Sequence, residues 1–440
     1  MSLLGSGARL GIPDVPTIRR WGLQGATSVL DQAVFSGTNF LVQILLARWL
    51  PAEVYGAIAV SFVVILFLSG FHSAFVLEPM SVFGPADYAE DLGSYIEVHL
   101  RIHAILTGLS GLALILCGIA AQSLLRMTSP LPSALIGAGI ALPFILWVWL
   151  ARRTAYVVRR PKLALQGSLA YSGLHIVMLG AARLNGWIAV SPIAPYLLMA
   201  LASLIAGIVT LMLVLRPLRG LAGPAPPNPR EILRENWHYG KWGAGSGILN
   251  STAGQLQTFA LAFAGLAEAA GLRAMQNFML PMAQAVTSIA QMALPALARD
   301  FGDGNLSKLK QKGILTSVLL TLLASCYAAL LLVFHRPLEH LAYGGKFAPY
   351  SRLIPLLGLV PVLSGFTTGI SLILRAVRWP QHALYVAAVS GSTGLVTAIL
   401  LTWAYGIWGA AASIVVSYAV GAVAALVLFV WRRDRLFPGG

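Results

Sequence analysis

Twelve apolar runs, each long enough to cross a bilayer as a helix, fill this chain almost end to end. They cover approximately residues 27–48, 55–77, 99–122, 131–150, 164–183, 193–215, 242–264, 273–297, 313–334, 351–375, 382–404 and 407–431. About 20 apolar residues span the hydrocarbon core. Inside it every backbone polar group must be satisfied, which leaves helices as the solution for runs of this length. The pattern therefore predicts an all-α polytopic membrane protein. Composition agrees, with 58% hydrophobic and 10% charged residues in 440 and a mean hydropathy of +0.78, against about 25% charged in soluble domains.

The net charge of +15 invites a nucleic-acid reading, but membrane topology explains it better. With the N-terminus in the cytoplasm, seven basic residues fall on the outer side: Arg48, Arg126, Arg183, Arg273, Arg336, Lys346 and Arg352. The other 23 of the 30 Lys and Arg fall inside, as the positive-inside rule requires. Twelve spans with both termini cytoplasmic follow, and no nucleic-acid partner is expected. Met1 to Arg20 lacks an apolar core and holds Pro13 and Pro16, so it reads as a tail and not a cleavable signal. Cys117 and Cys326 both sit in apolar runs and suggest neither a disulfide framework nor a metal site.

Arg216 to Lys241 is the one long polar connection, and it divides the chain. Expected are a tail at 1–23, a six-helix lobe at 24–216, a cytoplasmic linker at 217–241, a second six-helix lobe at 242–431 and a tail at 432–440. Prolines break the first part of the linker. Asn228-Pro229-Arg230-Glu231 then supplies an N-cap, Pro at N1 and Glu at N3, predicting a short surface helix to His238. The lobes look related. The shift that carries Glu53 and Gly56 onto Glu268 and Gly271 also carries Ser36 onto Ser251 and Gln43 onto Thr258. Six spans per half is even, so the repeats would be parallel, related by an axis along the membrane normal.

Several spans carry polar faces. On span one, Asp31, Gln32, Ser36, Asn39 and Gln43 fall within about 140° at 100° per residue. Asp31 is the only carboxylate well inside that span; it could bind a coupling ion or proton, or pair with an Arg near the cytoplasmic side. On span eight, Arg273, Asn277, Gln284, Ser288 and Gln291 share an arc of about 60° and cover about 27 Å at 1.5 Å per residue. Span seven adds Ser246, Asn250, Gly254 and Gln257, with Gln255 and Thr258 beside them. Such ladders suit a polar head group passing apolar walls; they also suit inter-helix hydrogen bonding. Gly243/Gly247 and Gly365/Gly369 have the spacing of close helix contacts. His99, Arg101 and His103 open span three, while Arg152, Arg153, Arg159, Arg160 and Lys162 fill the next inner loop, where diphosphate binding competes with plain topology and anionic lipid. No nucleotide-binding loop, metal spacing or local nucleophile–base motif is present, so no cofactor and no enzyme activity are expected. The outer connections are too short for a catalytic domain.

Three motifs carry a resemblance. Asp31-Gln32 with SGTNFLVQILLARWLPAEVYG (Ser36 to Gly56), Leu341-Ala342-Tyr343-Gly344-Gly345-Lys346-Phe347, and Tyr405-Gly406-Ile407-Trp408-Gly409-Ala410-Ala411 resemble the first hairpin, the entry to span ten and the opening of the last helix in the polysaccharide transporter (O-antigen flippase-like) family. That family lies within the multidrug/oligosaccharidyl-lipid/polysaccharide exporter superfamily. The resemblance implies two parallel six-helix bundles in a V-shaped exporter fold in the bacterial inner membrane. It also implies flipping of a polyprenyl-diphosphate-linked oligosaccharide by alternating access, with polymerase and chain-length machinery as pathway partners. The substrate pathway would then use Gln32, Asn39, Gln43, Arg101, Asn250, Gln257, Arg273, Asn277, Gln284 and Gln291, with Asp31 coupling to an ion. The rivals are a cation-coupled multidrug exporter of the same superfamily and a membrane polymerase or ligase.

Overall fold

A computed structural model describes residues 15–188, 191–216, 228–377 and 380–436. Among them every regular element is helical, and nine helices are long and apolar enough to cross a membrane. The first half holds α1 (Val15–Trp49), α2 (Ala52–His72), α3 (Glu78–Asp87), α4 (Leu92–Ser123), α5 (Leu131–Val157), α6 (Pro161–Leu184) and α7 (Ile193–Leu215). The second holds α8 (Pro229–Gly254), α9 (Leu256–Ala264), α10 (Leu266–Asn277), α11 (Leu280–Gly302), α12 (Leu306–Tyr343), α13 (Leu353–Leu357), α14 (Leu359–Ala376) and α15 (Pro380–Leu436). A π-helical turn, Ser73–Leu77, joins α2 to α3.

The expected spans map onto these helices, with local departures that have local causes. Spans seven and eight are each broken, into α8/α9 and α10/α11. Pro281 lies in the first turn of α11, and its ring and missing N–H prevent continuation from α10. Spans eleven and twelve form α15, bent at Gly406, whose φ of 55° and ψ of −134° require glycine. A Cβ at Gly409 would strike the Leu401 backbone, so both glycines of that motif serve the hairpin. Gly344 ends α12 in the left-handed conformation.

Two expectations about the segments change. α1 begins at Val15, so the expected tail is helical from there, with Pro16 tolerated in the first turn. Asn228 caps α8 as predicted, accepting from the Arg230 N–H at 3.0 Å and bonding Glu231 at 3.3 Å. The helix does not stop at His238, however, but runs unbroken to Gly254. Residues 1–14, the proline-rich 217–227 and 437–440 lie outside the described residues.

Helix pairing repeats between the halves. α4 packs on α5 through Gly111 and Gly139, where a Cβ would meet the opposite carbonyl at 2.6 and 2.5 Å. Correspondingly, α12 packs on α14 through Gly313, Gly365 and Gly369. Likewise α1 packs on α6, and α8 on α15. Helices α2 and α10, which the sequence shift superposes, pack on each other, as an axis passing between them requires. One apolar core runs across both halves near the turns Trp49–Ala52 and Tyr343–Leu353, joining Leu50, Val54 and Ile58 to Ala270, Met275 and Phe347. Towards the opposite end, which holds the start of α1 and the end of α15, the cores separate. Ile96, Leu150 and Val157 form one with Ile232 of α8, and Leu297, Leu309 and Ile373 form another. The apolar core is thus shared at the turn end, whereas the end bearing most of the Lys and Arg has two separate cores, one of which takes in Ile232 of α8.

Candidate functional site

The polar face of α1 faces two ways. Asp31 is fully buried and accepts from the Arg152 guanidinium at 2.8 and 3.3 Å, from the Tyr156 hydroxyl at 2.5 Å and from the Ser168 hydroxyl. Arg152 is not a loop residue: it lies in α5, also buried, with its guanidinium 4.0 Å from the centre of the Phe35 ring. Isolated charges at this depth would be unstable, and the pair with two added hydroxyl donors satisfies the carboxylate. Arg152 also donates to the Gln32 carbonyl at 3.4 Å. The Gln32 amide in turn donates to Ser36 at 3.0 Å and, across the seam between halves, to Gln284 of α11 at 3.4 Å.

One turn further on, Asn39 accepts from Tyr171 at 2.9 Å, and His175 lies 3.1 Å from the same hydroxyl. Asn39 and Gln43 line a small cavity with Phe62, His175 and Tyr196. Gln43 then accepts from Tyr55 at 3.3 Å. Asn277 of α10, fully buried, donates to Tyr55 at 3.1 Å and to Tyr343 at 3.3 Å, and Tyr343 donates to the Ala274 carbonyl at 2.8 Å. This network fastens α2 to α10 and α12.

Arg273 lies one helical turn before Asn277 on α10 and is 5% exposed. Its guanidinium is 6.0 Å from the Phe62 ring centre, within electrostatic reach of Tyr55, Tyr196 and Tyr343. Among the described residues no carboxylate is in ion-pair range of it, and its Nε is buried without a partner. A buried guanidinium without a counter-charge is costly, and an anion arriving at the seam would relieve that cost.

At the turn end, basic side chains cross between halves in both directions. Arg48 of α1 donates to the Leu341 carbonyl near the end of α12 at 3.0 Å. Lys346 donates to the Ala47 carbonyl at 2.7 Å and to the Leu50 carbonyl. Helix C-termini carry unpaired carbonyls and partial negative charge, so each half caps a helix of the other. Glu339 holds the Lys346 loop by accepting from the Phe347 N–H at 2.8 Å. Burial pulls the Lys346 ammonium below the usual lysine range.

The structure therefore gathers Asp31, Gln32, Asn39, Gln43, Arg273, Asn277 and Gln284 along the seam and the adjoining face of α1. Gln257 is buried elsewhere, donating to Ser413 of α15 at 3.2 Å. Arg101 is exposed on the outward face of α4, in line with exposed Ile105, Leu109, Leu112 and Leu116, where a long basic side chain reaches the head groups. His103 meets His72 at 2.9 Å. Asn250 and Gln291 lie on α8 and α11, and their side chains are outside the described ones. Sequence reasoning missed Tyr55, Tyr196 and Tyr343. Tyrosines in apolar runs are common, and only their convergence from three helices marks them.

No protein-family model and no curated protein sequence matches the chain. Solved structures do match. An inward-facing multidrug resistance MATE family transporter of the MOP superfamily aligns with TM-score 0.75 and 16% identity, over 92% of this chain and 94% of that one. An outward-facing MATE family transporter of the same superfamily aligns with 0.66 and 15%, over 94% of each chain. The lipid II flippase MurJ, in an inward closed conformation, aligns with 0.65 and 13%, over 94% of this chain and 87% of that one. The chain is thus a multi-pass membrane protein with the exporter fold of these transporters.

Proposed function

We propose that this chain is a flippase that carries a polyprenyl-diphosphate-linked oligosaccharide repeat unit across the bacterial inner membrane by alternating access. Two six-helix lobes, 24–216 and 242–431, open alternately to the two sides, with both termini cytoplasmic. The product feeds the polymerase of an exopolysaccharide, capsule or O-antigen pathway. The observation that carries this reading is Arg273, buried at the seam without a carboxylate partner among the described residues. Guanidinium groups match phosphate oxygens in fork geometry. The amides of Gln32 and Gln284, which meet across the same seam, suit sugar hydroxyls. Asp31 is neutralised by Arg152, so that carboxylate is not free for an organic cation, which weighs against a multidrug exporter. Asp31 is the group through which an ion gradient would act, by exchange of its Arg152 partner for a proton or cation.

The test is a deletion strain complemented with the wild type, Arg273→Ala or Gln284→Leu at equal membrane abundance. Deletion should trap lipid-linked oligosaccharide on the cytoplasmic face, inaccessible to a membrane-impermeant sugar oxidant. Arg273→Ala should lower export at least tenfold, the order of a lost charge-assisted contact of about 1.5–3 kcal/mol, and Gln284→Leu should lower it less. Normal export by both variants would remove the seam from the pathway. A deletion strain with unchanged lipids and altered drug sensitivity would replace the reading with multidrug export.

A further inference from the structure

Outside the seam, a second cavity of about 310 Å³ opens on the outer wall of the C-terminal half, between α12, α14 and the last part of α15. Ile370 and Ile373 form its floor, and Ile314, Val318, Leu322 and Leu426 stand exposed at its mouth. It exists because α12 and α14 meet through glycine. A Cβ at Gly313 would lie 2.3 Å from the Ile373 side chain, and one at Gly369 would lie 2.2 Å from Ser317 Oγ. The helices close there and leave a furrow beside the contact.

Two properties specify the occupant. Among the described residues the only polar side chains in the lining are Ser317 and Thr321, and both turn away to backbone: Ser317 donates to the Phe366 carbonyl at 2.9 Å, and Thr321 to the Ser317 carbonyl at 2.7 Å. The furrow therefore presents hydrocarbon to whatever fills it. From Gly313 to Leu322 it is about 14 Å long at 1.5 Å per residue, close to the hydrocarbon depth of one leaflet, half of about 30 Å. Its end nearest the start of α12 is basic. Lys310 continues the stripe of Ile314, Ser317 and Thr321 by one turn, and exposed Lys308 and Lys312 flank it, Lys312 pairing with Asp300 at 2.7 Å.

We propose that this furrow is a binding site for one anionic phospholipid of the leaflet at the basic end, with an acyl chain between α12, α14 and α15 and the head group at Lys308 and Lys310. Zwitterionic lipid fits the apolar walls equally but gains nothing from the rim, so the site selects by charge. Each basic side chain near an anionic head group contributes about 1 kcal/mol, or about fivefold in affinity.

Native mass spectrometry of the purified full chain, offered equal amounts of palmitoyl-oleoyl phosphatidylglycerol and phosphatidylcholine, tests this. The wild type should retain one phosphatidylglycerol in preference. Lys308→Gln and Lys310→Gln should each lower that preference about fivefold. Val318→Trp, which fills the mouth from an exposed position, should abolish retention of both lipids while size-exclusion elution and Tm stay as in the wild type. Equal retention of the two lipids by the wild type would overturn the proposal. So would a preference unchanged in the lysine variants. Displacement of phosphatidylglycerol by added undecaprenyl phosphate, with that binding lost in Val318→Trp, would assign the furrow to an isoprenoid tail and overturn it too.

Discussion

Asp31 and Arg152 are worth more as a pair than either is alone. Asp31→Asn leaves a buried guanidinium without its counter-charge, and Arg152→Gln leaves a buried carboxylate. Removing one member of such a pair costs about 3–5 kcal/mol, whereas replacing both can be close to neutral. Each single variant should therefore show a markedly lower Tm in detergent, and Asp31→Asn/Arg152→Gln should recover most of the loss. The double variant also separates folding from coupling. If it folds and still exports with normal dependence on the ion gradient, Asp31 has no coupling role. The sequence shows Asp31 as a carboxylate in an apolar run and leaves an Arg partner open. It does not reveal which Arg, because Arg152 lies at the edge of a basic cluster that reads as a loop, and only the turn from α5 into α6 brings Ser168 and Tyr156 to the same carboxylate. The tyrosine network around Asn277 is invisible for the same reason: its members are far apart in sequence, and Tyr55 and Tyr343 stand in two separate motifs that nothing in the sequence links to Asn277.

Among the elements, α8 departs furthest from what local sequence suggests. Its start is legible, because Asn228, Pro229 and Glu231 make a cap whose bonds are present. Its length is not. Gly240, Gly243, Gly245 and Gly247 each disfavour helix by about 1 kcal/mol relative to Ala, and packing overrides them. A Cβ at Gly240 would lie 2.5 Å from the Ala74 carbonyl, beside the π-helical turn. The first turns of α8 rest on the N-terminal half. Trp237 stacks on Phe75, with ring centres 5.4 Å apart, Asn236 bonds His99 at 3.1 Å, and Glu235 accepts from Tyr88 at 2.9 Å. Burial first, then the bond to Glu235 and the surrounding carboxylates, push the Tyr88 phenol up to about 12. A raised value means that this contact is at full strength below the ordinary tyrosine range, near pH 10, and fades as pH rises through about 12. Alkaline titration of ultraviolet absorbance should show one phenol ionising near pH 12 in the wild type that is missing from Tyr88→Phe. A difference spectrum titrating near pH 10 would mean that the contact is not formed.

Seen whole, the molecule is shut where Arg48 and Lys346 exchange helix caps, and its apolar cores are separate at the basic end. Removing both caps should loosen the closed end. In a Cys117→Ser/Cys326→Ser background, Ala270→Cys, buried where α2 meets α10, should react slowly with a membrane-impermeant maleimide. It should react several-fold faster once Arg48→Gln and Lys346→Gln are added, and unchanged labelling would exclude the crossed caps as a closure. The helical span pattern was readable in the sequence, since hydropathy dictates it; which end is closed was not, because that depends on contacts between residues hundreds of positions apart. The docking of α8 has one more consequence. The dividing point of the chain does not coincide with the dividing line of the structure: the first turns after residue 228 are already held by the half that precedes them. The peptide between residues 216 and 228 is then dispensable as a tether, and the protein could be produced in two pieces. Co-expressed fragments 1–216 and 228–440 should assemble and co-purify without any covalent link. Trp237→Ala with Asn236→Ala should leave each piece in the membrane and lower the fraction that co-purifies, the shared core at the turn end supplying the remaining contact.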